Sequence, residues 1–417
     1  MNVLVCGANG FIGAALCARL EAEGHCVVKG VRHAARPDEI AIDYTRDIQP
    51  EQWRSHLVGI DAVINAVGIL VERGAQTFDA VHRQAPIALF KACAIAGVRR
   101  VIQISALGVD RTNSEYFRSK LAADTFLSIC PISFQILRPA LVYGKSGTSA
   151  NLFRQLASLP CHFLPAGGRQ RLRPVHIDDL TETIACLLDP SAQDRQHIDV
   201  VGATEVEYRQ MLSLYRAGMK LPPALRVTLP RTLIDIAATL LDRVPGSMLT
   251  RDTWQMLQDG STADVRSTNE VLGRSPLGVQ QFIGIDAAIL RREAFAAWTP
   301  KVFRGALAVT WIWTAVVSAF LYPQADSLAL LARMQLHGVT AVVALYLAAA
   351  LDFLLGLATV FRPGRRLWMG QALLVAAYSV SVALAMPESL IDPFGPILKN
   401  LPILAILLVL FSEEATQ

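Results

Sequence analysis

The 417-residue sequence predicts an α/β chain: a doubly wound parallel sheet with a small subdomain behind it, followed by a four-helix transmembrane domain. Three observations predict it. The chain opens with an apolar run, a glycine-rich turn and a helical pattern; short apolar runs then alternate with helical periodicity; and from about Ala306 the sequence becomes long uncharged stretches. Hydrophobic residues make up 53% of the chain and the mean hydropathy is +0.37, high for a soluble protein, so the excess must be localised, and it lies in that last quarter. The expected organisation is 1–200, 201–300 and 301–417. Thirty-nine basic against 35 acidic residues, with no run of five or six like charges, exclude a nucleic-acid footprint. The seven cysteines (Cys6, Cys17, Cys26, Cys93, Cys130, Cys161 and Cys186) precede the apolar region without a CxxC pair, as free thiols in a reducing compartment would. Met1 to Cys6 has no basic flank, so no signal peptide is expected.

Asn2 to Cys6 reads as a strand and Phe11 to Ala22 as a helix, and between them stands Gly7-Ala8-Asn9-Gly10-Phe11-Ile12-Gly13. The first glycine permits the tight turn, the second lets backbone approach a pyrophosphate, and the third lets the helix pack closely; the helix N-terminus receives the phosphates. This makes the fold Rossmann-type and the ligand a nicotinamide dinucleotide, with Gly7, Asn9, Gly10, Phe11, Ile12 and Gly13 binding it. The next strand, His25 to Val31, ends at Arg32, where an arginine suits a ribose 2′-phosphate, so NADP(H) is favoured over NAD(H). Further strands are expected at Ala62 to Asn65, Val101 to Ser105 and Phe134 to Leu137, with a helix over Ala85 to Ala96. Ser105 and the turn Asn65-Ala66-Val67-Gly68 then lie at carboxyl ends of strands, where such sheets bind ligands.

Tyr116 and Lys120 are four apart and share a helix face, and an ammonium near a phenol is expected to lower its pKa toward the working range of a proton donor. With the glycine turn, Asn65-Ala66-Val67-Gly68, Ser105, Tyr116-Phe117-Arg118-Ser119-Lys120, Arg138-Pro139-Ala140-Leu141-Val142-Tyr143-Gly144 and Val175-His176-Ile177-Asp178-Asp179-Leu180 in this order, the first 200 or so residues resemble the extended or atypical short-chain dehydrogenase/reductases. Gly97 to Asp110 is similar to the subgroup related to an accessory subunit of respiratory complex I. The resemblance implies a catalytic set of Tyr116, Lys120 and Ser105, in which Ser105 holds the same substrate oxygen as Tyr116. It also implies cofactor contacts from Lys120, at the nicotinamide ribose, and from Asn65, Ala66, Val67, Gly68, Pro139 and Val142. One departure stands out: the family's asparagine on the helix after the Asn65 strand has no clear counterpart in Val81-His82-Arg83-Gln84.

His176, Asp178 and Asp179 lack the spacing of a zinc set and read as a turn and helix cap, so no metal site is expected. Val206 to Phe282, with a helical pattern over Leu233 to Leu241, reads as substrate-side structure and a surface that meets the membrane.

Four spans are expected: Gly305 to Ala325, His337 to Phe361, Leu367 to Met386 and a shorter Pro396 to Phe411. Arg291, Arg292, Lys301 and Arg304 before the first span, and Arg362, Arg365 and Arg366 between the second and third, outweigh Arg333 and Lys399 on the other side. The charge rule then puts the N-terminal part in the cytoplasm and the spans in the inner membrane. The segment from Pro393 to Pro402 is similar to the last helix of the DoxX-like membrane family. Asp352, an acid within a span, reads equally as a functional group or as one that fixes helix packing. The expected function is a membrane-anchored NAD(P)H-dependent oxidoreductase acting on a carbonyl or alcohol of an unidentified small-molecule, lipid or quinone-like substrate. The alternative is a non-catalytic nucleotide-binding module serving a partner in a respiratory-type membrane complex.

Overall fold

The computed structural model describes residues 1–111, 114–244, 247–391 and 397–414. The chain divides into two compact units, Met1–Ala294 and Phe295–Gln417.

The first unit is built on seven parallel strands: β1 (Asn2–Cys6), β2 (Cys26–Val31), β3 (Glu39–Ala41), β4 (Ala62–Asn65), β5 (Arg100–Ile104), β6 (Ser133–Pro139) and β7 (Gln196–Val200), in the spatial order 7-6-5-4-1-2-3. The sheet is doubly wound, as the pattern predicts. Its strands are apolar throughout because both faces are covered: Leu4 and Cys6 pack with Leu89 and Phe134, whereas Val3 and Val5 pack with Leu16, Leu20 and Ile184 on the other side. Helices α1 (Phe11–Ala22) and α2 (Ala85–Ala96) fall on their expected bounds, and α3 (Glu115–Ile129) starts from Ser114, whose hydroxyl accepts from the Phe117 amide. Strands β3 and β7 carry no apolar signal in the sequence, because both lie at sheet edges and include charged residues that break the run. Strand order reverses between β1 and β4, and the crevice at that switch point is where such sheets hold ligands.

A second core surrounds Tyr143, whose ring stacks on Phe282 with centroids 4.8 Å apart, and takes in Met211, Leu212 and Tyr215 of the helix Tyr208–Gly218. Helix α4 (Ile177–Leu187) is capped by His176, whose Nδ1 accepts from the Asp178 amide at 3.3 Å, while buried Asp179 pairs with Arg274 at 2.8 Å. Helix α5 (Arg231–Leu241) packs Ile234 and Ala238 on Trp254. All seven cysteines are free.

The helices toward the C-terminus are α6 (Ala287–Val316), α7 (Gln324–Arg333), α8 (Gly338–Phe361), α9 (Arg365–Ala385) and α10 (Asn400–Glu413). Three are long and apolar enough to cross a membrane, over Ala287–Leu321, Gly338–Phe361 and Arg365–Ala385; α10 is a shorter apolar helix. The first span was expected from Gly305, but its helix begins eighteen residues earlier, at Ala287, because the polar stretch before it is also helical. Part of the expected last span and of the Pro393–Pro402 motif lies outside the described residues. Within this unit a Cβ on Gly356 would stand 2.5 Å from Ile312, so the glycine lets α8 approach the helix bearing Ile312 closely. Gln371 donates to Thr359 Oγ1 at 2.8 Å, and Asn400 to Ser379 Oγ at 2.8 Å. Asp352 is buried on α8, and its Oδ1 has no hydrogen-bond partner among the described residues.

Candidate active site

The glycine turn does in space what its sequence implies. Gly7 sits at φ +82°, and a Cβ there would crowd Val67 Cγ2 at 3.0 Å. A Cβ on Gly13 would stand 2.1 Å from Gly7 O, so only glycine lets α1 start this close to β1. Gly10 differs. It is exposed, with an ordinary φ of −76°, and a Cβ would meet only Gly7 O, at 3.1 Å. Gly10 and its exposed neighbour Asn9 form the open lip of the turn. Phe11 and Ile12 turn inward: the Phe11 ring lies against Gly144 and Gly147, where an added Cβ would come within 2.6 and 3.0 Å of it, and Ile12 and Val142 both pack against the core that includes Val5 and Leu16. The turn therefore fits a dinucleotide pyrophosphate, which needs an open lip backed by a rigid helix N-terminus.

Across the crevice, the buried Asn65 amide is engaged through both its oxygen and its nitrogen. Its Oδ1 accepts from the Tyr44 hydroxyl at 2.7 Å and the Val67 amide at 3.3 Å, and its Nδ2 donates to Gln103 at 2.7 Å. Its side chain shapes the turn Ala66-Val67-Gly68 that faces Gly7. Arg32 lies exposed beyond β2, beside the Gln76 side chain, whose amide oxygen in its satisfied orientation accepts from the guanidinium at 2.8 and 3.0 Å. Pro139 ends β6, and its carbonyl accepts from the Leu107 amide at 3.0 Å.

Tyr116 and Lys120 share the buried face of α3, 7% and 5% exposed, with the Lys120 ammonium 5.7 Å from the Tyr116 ring centroid. Lys120 Nζ donates to Ile104 O at 3.2 Å and would lie 3.6 Å from a Cβ on Gly68, so the lysine links the end of β5 to the nucleotide turn. Burial pushes its pKa down to about 8, with Asp124 pulling the other way. The expectation for Tyr116 is corrected here. Desolvation, with the Asp124 charge second, raises the phenol instead of lowering it, because the ring is enclosed by Phe78, His82 and Phe117.

Ser105 also departs from expectation. Its hydroxyl donates to Asp124 Oδ2 at 2.5 Å, one helical turn beyond Lys120, so its single proton is not directed to a substrate oxygen. Burial raises the Asp124 carboxyl to about 6, against the opposing pulls of Ser105, Lys120 and Arg138. Asp124 was legible in principle, since 116, 120 and 124 form one stripe of the helix.

His82 was not legible. It lies in a π-helical turn, Asp79–Gln84, that widens ahead of Pro86, a residue with no N–H to donate four residues back to His82. Its Nε2 accepts from the Ile69 amide at 3.0 Å; a backbone N–H can only donate, so Nδ1 carries the proton and faces Ser119 Oγ at 3.1 Å. Ser119 in turn donates to Tyr116 O at 2.8 Å. His82 thus joins the loop after Gly68 to the helix of Tyr116 from the segment where no asparagine counterpart was found. Among the described residues no cluster of metal-ligating groups forms.

Residues 7–158 match the NAD(P)H-binding family and residues 308–408 the DoxX-like family. The chain thus joins a Rossmann-type NAD(P)-binding domain to a DoxX-like domain whose apolar helices include three long enough to cross a membrane. An uncharacterised protein of Mycobacterium tuberculosis is 27% identical over 294 residues, 68% of this chain, and the chain spans only 31% of that relative's length. An uncharacterised chloroplastic protein of Arabidopsis thaliana is 26% identical over 209 residues, 43% of this chain and 68% of its own. Among solved structures, a UDP-glucuronic acid 4-epimerase from Bacillus cereus in complex with NAD superposes with a TM-score of 0.55 at 18% identity, over 70% of this chain and 99% of that one. A short-chain dehydrogenase/reductase superfamily protein from Agrobacterium tumefaciens with bound NAD does so at 0.53 and 18%, over 71% and 99%. These likenesses establish the fold.

Proposed function

We propose that the chain is a membrane-anchored NAD(P)H-dependent oxidoreductase that interconverts a carbonyl and an alcohol, on a lipid or quinone-like substrate supplied by the bilayer. The observation that carries this reading is the placement of Tyr116 and Lys120 on one buried face of α3, with Lys120 against Gly68 in the turn that faces Gly7. The glycine turn and Asn9 would hold the pyrophosphate, Arg32 a ribose 2′-phosphate, and Lys120 the nicotinamide ribose. A bound nicotinamide dinucleotide supplies the hydride chemistry. Tyr116 would hold and exchange a proton at its phenol oxygen, while Phe78, His82 and Phe117 keep water from its ring. Lys120, near half-charged slightly above neutral pH, would draw the phenol toward ionisation once a substrate oxygen shares its proton. The basic residues Arg304, Arg362, Arg365 and Arg366 support an inner-membrane placement with the first unit in the cytoplasm.

The test uses the full chain in detergent with NADPH and a membrane-lipid extract as the substrate source. Tyr116→Phe is expected to lower NADPH consumption by about 10²–10⁴-fold with NADPH affinity kept; undiminished consumption overturns the reading. One observation favours a second reading, a non-catalytic nucleotide-binding module of a membrane complex: the Ser105 proton is committed to Asp124. That reading expects no consumption by either protein, slowly exchanging NADPH, and a copurifying partner in native mass measurements.

A further inference from the structure

The exposed apolar side chains of the first unit are unevenly placed. Val58, Ile95 and Ile129 stand singly at helix ends, as isolated surface hydrophobes do. Others gather in and around α5. On the paired strands Cys161–Pro165 and Leu225–Leu229, Phe163 and Val227 are in register and both exposed. On α5 and just past its end, Leu233, Ile236, Leu240 and Val244 are 50%, 59%, 61% and 50% exposed. Leu233, Ile236 and Leu240, three and four residues apart, make one stripe of the helix, and Val244 follows its end.

This stripe is held outward. Ile234 and Ala238, on the opposite side of α5, are buried against Trp254, and the Trp254 indole donates to Asp235 Oδ1 at 2.6 Å. The helix is therefore clamped by its inner face. Arg243 follows the row on its own side and is exposed; Arg231 falls with Ile234 and Ala238, 3.8 Å from Asp235, Arg226 donates to Ser213 Oγ at 3.1 Å, and the other acids nearby are Asp242 and Asp252. An arginine at the end of an apolar row can keep its guanidinium group on lipid phosphates while the row enters the acyl layer. Eleven residues of helix extend about 16 Å, too short to cross the hydrocarbon core but sufficient to lie along its surface. The same chain carries candidate membrane spans, so the first unit is tethered to a bilayer at high effective concentration.

We infer that α5 is an in-plane membrane-contact helix: its Leu233–Ile236–Leu240 stripe lies at the headgroup–acyl boundary of an anionic bilayer, with Arg243 on a lipid phosphate. The inference rests on the spans and on this surface, and holds whether or not Tyr116 turns over a substrate. It also provides a way for a lipid substrate to reach the first unit without leaving the membrane.

The test reconstitutes the full chain, with exposed Cys26 and Cys186 changed to Ser, into phosphatidylcholine–phosphatidylglycerol vesicles. Bimane is attached at Ile236→Cys or Leu240→Cys, with Ile129→Cys as the control; retained NADPH binding shows that each protein is folded. At positions 236 and 240, lipids carrying a nitroxide high on the acyl chain are expected to reduce the fluorescence by more than half, and aqueous iodide to have little effect. The control is expected to behave the opposite way. Equal iodide quenching at all three positions overturns the inference. So does protection from iodide without nitroxide quenching, which would mean that a second copy or another protein covers the stripe.

Discussion

In the turn after β1, atoms are placed by what is missing: without a side chain at Gly13, α1 can start against Gly7 O, and the exposed lip at Gly10 is left free. Around Tyr116 they are placed by what is present, a closed set of rings with the Ser105–Asp124 and His82–Ser119 hydrogen bonds beneath. The two regions respond to different perturbations. The turn is governed by sterics and is insensitive to pH, whereas the Tyr116 face is governed by burial of titratable groups and changes with proton activity.

The largest expected effect breaks the turn itself. Gly13→Val puts carbon 2.1 Å from a backbone oxygen that cannot move without displacing β1. A loss of more than about 4 kcal/mol is expected, read as loss of the folded first unit in thermal melts. Gly10→Val sharpens the comparison, because its backbone is unstrained and its only close neighbour is at 3.1 Å. The melt is expected to stay near native while NADPH affinity falls about 100-fold, or about 2.8 kcal/mol by titration calorimetry. Unchanged affinity would mean that the lip does not hold the pyrophosphate.

The next effect belongs to the Tyr116 face alone. Burial, and then the Lys120 charge, hold the His82 imidazole down at about 2. The unfolded chain accepts that proton below about 6.5 and the folded chain does not, so stability is full above that pH and is lost as the pH falls toward the folded value. The slope is about 1.4 kcal/mol per pH unit. His82→Asn keeps a polar side chain but removes the titration. The stability difference between native and variant protein, followed by melts on acidification below pH 6.5, is expected to shift by that slope in the variant's favour. Parallel pH curves would show that His82 titrates normally. The smallest effect is at the rim. Arg32→Ala is expected to lower the preference for NADPH over NADH by about fivefold, an exposed ion pair's contribution, with NADH affinity unchanged.

What could be read from the residues follows from the range of the forces involved. α1, α2, β1 and β4 appear on their expected bounds because each is set by local periodicity and a glycine or a strand end. The membrane helices were legible because a bilayer demands an uninterrupted apolar run, and a run is a property of neighbours in sequence. Tyr116 with Lys120 was legible as a helix spacing, and Asp124 would have been by extending the stripe one turn.

The direction of the Tyr116 shift was not legible, since it depends on Phe78 and His82 arriving from another segment, and desolvation is a sum over everything packed around a group. Nor was the hydrogen bonding of Asn65, whose partners Tyr44 and Gln103 are 21 and 38 residues away. The sequence by itself determined the nucleotide turn, the order of strand and helix, and the presence of spans, because backbone sterics and apolar periodicity act over a few residues. Only the tertiary structure decided which protons the candidate site holds and which face of α5 is left outward, because burial is settled by what packs against a side chain and not by what precedes it.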